Sequence, residues 1–219
     1  KMKLKALNLL NYKSIESCNL EFNNKSIILG ANASGKSNLI SVLKFINYIL
    51  TYGVDDAVSL MGGIDNLLNI NSDNEILQIG FSILLDNDEW YRKFDKSYNS
   101  APTQMDYTFK LMKKKNNQYK VIFDDIRIVF SLYENNKKKN KEKIKEDNSP
   151  VGEFSMEFIR DGRKFESYIT NNKTQFTDAY LMKEEIYKLF SYIMKDSKRE
   201  LMLNNVRFIL PPIYFKNNE

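Results

Sequence analysis

Histidine is absent from this 219-residue chain, and cysteine occurs once, at Cys18. The first absence removes imidazole metal ligands and imidazole acid–base catalysis; the second excludes an internal disulfide framework. Any chemistry must therefore draw on Lys, Ser, Asp, Glu or a bound metal ion. A long apolar run is missing too. No stretch reaches the roughly eighteen apolar residues of a membrane span, and the first residues lack the apolar core of a signal peptide, so the expectation is a cytoplasmic protein with no membrane partner. Charge of one sign is also scarce: 33 Lys and Arg against 28 Asp and Glu leave +5. Much of that excess sits at Lys113 to Lys115 and Lys137 to Lys145, too local to prescribe nucleic-acid binding.

What is present reads as one domain's worth of core. Leu4 to Leu10 and Cys18 to Phe22 are strand-like runs separated by Asn11-Tyr12-Lys13-Ser14. Lys25 to Leu29 reads as a short buried strand, since its β-branched apolar residues lead straight into a glycine. Leu39, Ile40, Val42, Leu43, Phe45, Ile46, Ile49 and Leu50 recur at helical spacing, and Gly53 ends that helix. Val54 to Leu68, with the pair Gly62-Gly63, forms a short helix and loop. Aromatic and β-branched residues then alternate with polar ones over Glu75 to Leu85, Met105 to Met112, Tyr119 to Tyr133 and Phe154 to Thr170, a run of antiparallel strands. Asn135 to Pro150 is almost wholly charged or amide and reads as an exposed loop. Asp178 to Leu203 shows a second amphipathic helix, and Val206 to Leu210 a last strand stopped by Pro211-Pro212.

One motif carries chemistry. Gly30-Ala31-Asn32-Ala33-Ser34-Gly35-Lys36-Ser37 satisfies the phosphate-loop spacing of a glycine, four residues, then Gly-Lys-Ser, placed between an expected strand and an expected helix. Glycines let successive N–H groups curl round phosphate oxygens, and the helix N-terminus adds partial positive charge. In this reading Gly30, Asn32, Ala33, Ser34, Gly35 and Asn38 line the nucleotide, Lys36 reaches the β- and γ-phosphates, and the Ser37 hydroxyl ligates magnesium. The cofactors implied are ATP and Mg2+.

The longer string Leu29-Gly30-Ala31-Asn32-Ala33-Ser34-Gly35-Lys36-Ser37-Asn38-Leu39-Ile40, behind Asn11-Tyr12-Lys13-Ser14, resembles the opening of ABC-type ATPase heads of the SMC, RecF and OLD group. It resembles in particular the bacterial AAA-family ATPases met in anti-phage defence. The resemblance implies that Lys13 and Ser14 lie beside the adenine. It also implies an α/β P-loop NTPase fold of ABC-ATPase type, a mixed and antiparallel sheet packed on the P-loop helix. On that pattern residues 1–219 form an N-terminal lobe: strands, P-loop and first helices over 2–70, a β-rich part over 75–170 with the loop at 135–150, and a helix over 178–203. Signature motif, Walker B strand and switch histidine are missing, which fits an excised piece without its C-terminal lobe, able to bind ATP but poor at hydrolysing it. The intact form would then be an ATPase that dimerises through ATP as a switch in DNA repair or phage defence. DNA, an effector protein, or a nuclease or toxin domain would be its partners.

Several features compete for attention. Val121-Ile122-Phe123-Asp124-Asp125 imitates a Walker B strand, but the polar turn before it favours a β-turn or strand end. Gln78, Gln104, Gln118 and Gln175 are the available magnesium-contacting glutamines, none preferred. Trp90, Tyr91, Phe94 and Tyr98 among Arg92, Lys93 and Lys96 suit a strand face better than a single-strand nucleic-acid grip, and Lys137 to Lys145 a solvated loop. Two rival functions stay open: another P-loop kinase or GTPase, although no Asn-Lys-x-Asp or Asp-x-x-Gly motif occurs, and a nucleotide-independent DNA- or partner-binding module with a vestigial loop.

Overall fold

The computed structural model describes residues 2–27, 29, 35–85, 92–93, 98–134, 149–171, 188, 191–192 and 201–203. The chain opens with a hairpin of β1 (Met2–Tyr12) and β2 (Ile15–Glu21), reversing at Lys13-Ser14. Helix α1 (Lys36–Tyr52) follows, and Gly53, at φ 93°, ends it and starts α2 (Val54–Leu60). A single 3₁₀ turn, Ile64–Asn66, leads towards β3 (Ile76–Leu85). Then come β4 (Arg92–Lys93), β5 (Tyr98–Lys113), β6 (Tyr119–Glu134), β7 (Gly152–Asp161) and β8 (Lys164–Asn171). They form an eight-stranded sheet in the order β2-β1-β3-β5-β6-β7-β8, with β4 on β5.

Every pairing among the described strands is antiparallel. This overturns the expected α/β P-loop NTPase fold, whose sheet is parallel. The physical reason lies in the connections. Parallel neighbours need a crossover of about a dozen residues or more, whereas a short turn can only reverse the chain. Here β1 and β2 are joined by two residues, β7 and β8 turn at Gly162 with φ 59°, and β5 and β6 turn through Asn116 and Asn117, both at positive φ. Asparagine tolerates that left-handed backbone better than most side chains do.

A second expectation also fails. Lys25, Ser26, Ile27 and Leu29 belong to no strand, and Ile27 and Leu29 are 84% and 87% exposed. A strand persists only where a neighbour takes its N–H and C=O groups, and no described strand lies beside this segment.

Alternation puts the aliphatic and aromatic residues on one face of the sheet. Leu7, Leu9, Leu77, Ile79, Phe81, Tyr107, Phe109, Ile126, Ile128, Phe154, Met156 and Phe158 are buried in one core with Val42, Phe45, Ile46 and Ile49 of α1. Helix α1 therefore lies on the sheet by its apolar stripe, and the opposite face mixes Asn8, Gln78, Ser82, Asp106 and Arg127 with Leu10, Ile76 and Leu84. Of the second expected helix, Lys188, Ser191, Tyr192, Met202 and Leu203 are described and helical, and Leu201 to Leu203 are buried in the same core. Val206 to Leu210 lies outside the described residues.

Candidate functional site

The β1–β2 reversal is an unusual corner. Asn11 and Lys13 both have positive φ, 60° and 50°, a backbone region that β-carbons make uncommon. It is held from several sides. The buried Asn11 amide donates to the Asn74 carbonyl and, at 3.0 Å, to that of Ile76, while its oxygen accepts from the Asn69 N–H at 3.3 Å. The Lys13 N–H donates to the Leu67 carbonyl at 2.9 Å, and Tyr12 bridges to Leu68. Strained residues persist where their surroundings over-determine them, and such places cluster at working sites.

The far side of this corner is fastened to the start of α1. The Asn38 amide donates to the Ser14 hydroxyl at 2.7 Å. Lys13 Nζ donates to the Ser41 hydroxyl at 2.9 Å, and the Tyr12 phenol lies 2.9 Å from the same oxygen. Lys13 Nζ also lies 5.8 Å from the centre of the Tyr12 ring, within range of a cation–π contact. Burial pushes the Tyr12 phenol up to about 12, with the Ser41 hydrogen bond pulling the other way, so it is a neutral prop and no acid or base.

Gly35 precedes α1 with φ 88°, a conformation glycine adopts without the penalty other residues incur. A β-carbon there would sit 3.6 Å from Ile15 Cγ1 and Ser14 Oγ, ordinary contact, so the demand for glycine comes from the backbone. Its carbonyl accepts the N–H groups of Asn38 and Leu39 at 3.0 and 3.1 Å. No side chain caps this helix among the described residues, and its first turn holds no acid but contains Lys36. A helix start without a carboxylate and with a lysine in its first turn carries partial positive charge.

The structure thus gathers six of the ten residues singled out for nucleotide contact. Lys13, Ser14 and Gly35 to Asn38 form one neighbourhood, although about twenty residues separate the two groups in sequence. Gly30, Asn32, Ala33 and Ser34 lie outside the described residues. Ser37 is exposed in the first turn of α1, where a hydroxyl can join phosphate oxygens and water around magnesium. Among the described residues no three His, Cys, Asp or Glu side chains converge on a metal position.

Asn11, Tyr12 and Ser41 were absent from the list read off the sequence. Asn11 and Tyr12 belong to the element that the resemblance sets beside the adenine, but only their tertiary partners reveal their own role. Ser41 sits one helical turn beyond Ser37, a spacing that puts both on one face, yet a serine in a helix reads by default as a solvated position.

The competing features resolve differently. Asp124 and Asp125 sit in the middle of β6, at neither a turn nor a strand end. Asp124 is fully buried and accepts from the Tyr107 hydroxyl at 2.5 Å, Arg160 Nη2 at 2.6 Å and the Met202 N–H at 2.7 Å. Burial pushes its carboxyl up to about 6 against the pull of Arg160 and the other donors. This is a structural fastening of β5, β6 and β7 to the buried Leu201–Leu203 segment. Asp125 points to the other face, where burial and the nearby Glu157, Asp124 and Asp106 also raise it to about 6. Gln104 spends its amide on Asp106 at 2.8 and 2.9 Å, Gln78 lies in β3 and Gln118 in the β5–β6 turn. Arg92 and Lys93 form β4, and Tyr98 begins β5. Gln175, Trp90, Tyr91, Phe94, Lys96 and the Lys137 to Lys145 run lie outside the described residues. No helix among the described residues is long and apolar enough to cross a membrane.

Compared with protein-family models, with curated proteins and with solved structures, the chain matches none.

Proposed function

We propose that this chain binds a nucleoside triphosphate, ATP with magnesium, in the neighbourhood formed by the β1–β2 corner and the start of α1. The observation that carries the proposal is the 2.7 Å hydrogen bond from Asn38 to Ser14. It joins two segments assigned separately to one ligand, the phosphate-binding turn and the base-contacting turn. The reading does not require a parallel sheet. It uses a glycine with φ 88°, a helix start without acids, and a lysine and hydroxyl in the first turn. Backbone N–H groups and the helix dipole attract the phosphates, Lys36 adds a full charge, Ser37 holds the metal on the phosphate side, and Lys13 and Ser14 face the base. A cytoplasmic setting and an ATP-driven switch in a larger assembly, acting on DNA or an effector protein, belong to the same reading.

The test is calorimetric titration with ATP and Mg2+. Wild-type protein is expected to bind saturably, and Lys36→Ala to lose at least about tenfold in affinity, the loss of one charge-assisted contact, with an unchanged melting temperature. Equal affinity in both proteins overturns the assignment of Lys36.

A second reading has an observation of its own. Ile27 and Leu29 are exposed in place of forming a buried strand, and Ile40, in α1, is 71% exposed. Apolar side chains left in solvent fit a module that binds a protein partner without nucleotide. Partner binding unaltered by Lys36→Ala and by ATP would favour that reading.

A further inference from the structure

Ser41 is an inward-turned hydroxyl with two partners and a single proton. Lys13 Nζ, having no lone pair, donates to it at 2.9 Å, while the Tyr12 phenol completes the set at 2.9 Å, one of the two hydroxyls donating to the other. A lysine normally swings through many rotamers, and a ligand must arrest that motion on binding. Here the arrest is built in. The Lys13 backbone is fixed at φ 50° by its N–H bond to Leu67, and its ammonium is tied to the second turn of α1, leaving two of its three protons not used by Ser41. From this geometry we infer that Ser41 is a positioning residue. It holds Lys13 in one conformation over the site and couples the base-contacting corner to the helix that carries Lys36 and Ser37. The inference rests on the reading that Lys13 contacts bound nucleotide.

The experiment measures ATP affinity by calorimetry in Tyr12→Phe protein and in its Ser41→Ala, Lys13→Ala and doubly substituted variants, beside the unaltered chain. The Tyr12→Phe background keeps loss of the serine from orphaning a buried phenol. Expected results are a loss of about fivefold for Ser41→Ala, the size of one hydrogen bond, a similar or larger loss for Lys13→Ala, and no further loss in the double variant. Ser41→Thr, which keeps the hydroxyl, is expected to restore binding. Affinity untouched by Ser41→Ala, losses that multiply in the double variant, or failure of Ser41→Thr to rescue overturns the inference while leaving nucleotide binding standing. Absence of ATP binding in the unaltered chain overturns both together.

Discussion

Two adjacent aspartates show how much one step along a strand decides. Asp124 faces inward and meets a guanidinium, a phenol and a backbone N–H; Asp125 faces outward and meets Glu157 and Asp106. Removing one partner of a buried ion pair leaves the other charge uncompensated, so Asp124→Ala is expected to cost about 3–5 kcal/mol in urea denaturation. Asp125 is raised by burial as Asp124 is, but Glu157, Asp124 and Asp106 add to the shift where donors oppose it at Asp124. Its folded value, about 6, lies above its ordinary 3.8, so the folded state holds the proton more tightly and stability falls as pH rises from about 4 to about 6. Asp125→Asn is expected to shrink that fall and to raise the melting temperature at pH 7.5. A melting temperature lowered at pH 7.5 would contradict it. The apolar run before the pair was visible in the sequence. The strand read over Tyr119 to Tyr133 already enclosed it, but the donors around Asp124 were not visible, because Arg160 and Met202 come from distant parts of the chain.

At the scale of elements, most strands announced themselves by alternation, and α1 by the spacing of Val42, Phe45, Ile46 and Ile49 with Gly53 at its end. The Lys25–Leu29 segment shows the limit of that signal. Three apolar residues before a glycine look like a buried strand from within, but burial depends on a neighbour that local sequence does not describe. The β1–β2 corner shows the reverse case: Asn11-Tyr12-Lys13-Ser14 reads locally as a polar connection, yet bonds to Leu67, Asn69, Ile76, Asn38 and Ser41 hold it. Asn11→Ala would strand three backbone groups and leave a β-carbon residue at φ 60° without its amide. The expected cost is about 2–4 kcal/mol by chemical denaturation, together with weaker ATP binding as Lys13 and Ser14 loosen. A cost under about 0.5 kcal/mol would show that the corner is held by other means.

For the whole molecule, the antiparallel run over 75–170 was legible from alternation, and the α/β class suggested by the phosphate loop was what failed. The phosphate-loop wording drew the reading towards an α/β P-loop NTPase with a mixed sheet, whereas the two-residue turn at Lys13-Ser14, the Asn116-Asn117 turn and Gly162 dictate reversals at three of the joints. Six of the ten candidate nucleotide contacts nevertheless meet in space, on an antiparallel scaffold rather than the expected one. The central claim is that the β1–β2 corner and the start of α1 form one ligand seat. Amide chemical shifts followed by NMR during titration with ATP and Mg2+ test it most directly. Lys13 and Ser14 are expected to move together with Gly35, Lys36 and Ser37, with one shared binding curve. Shifts confined to only one of the two segments, or lying elsewhere on the sheet, would contradict it.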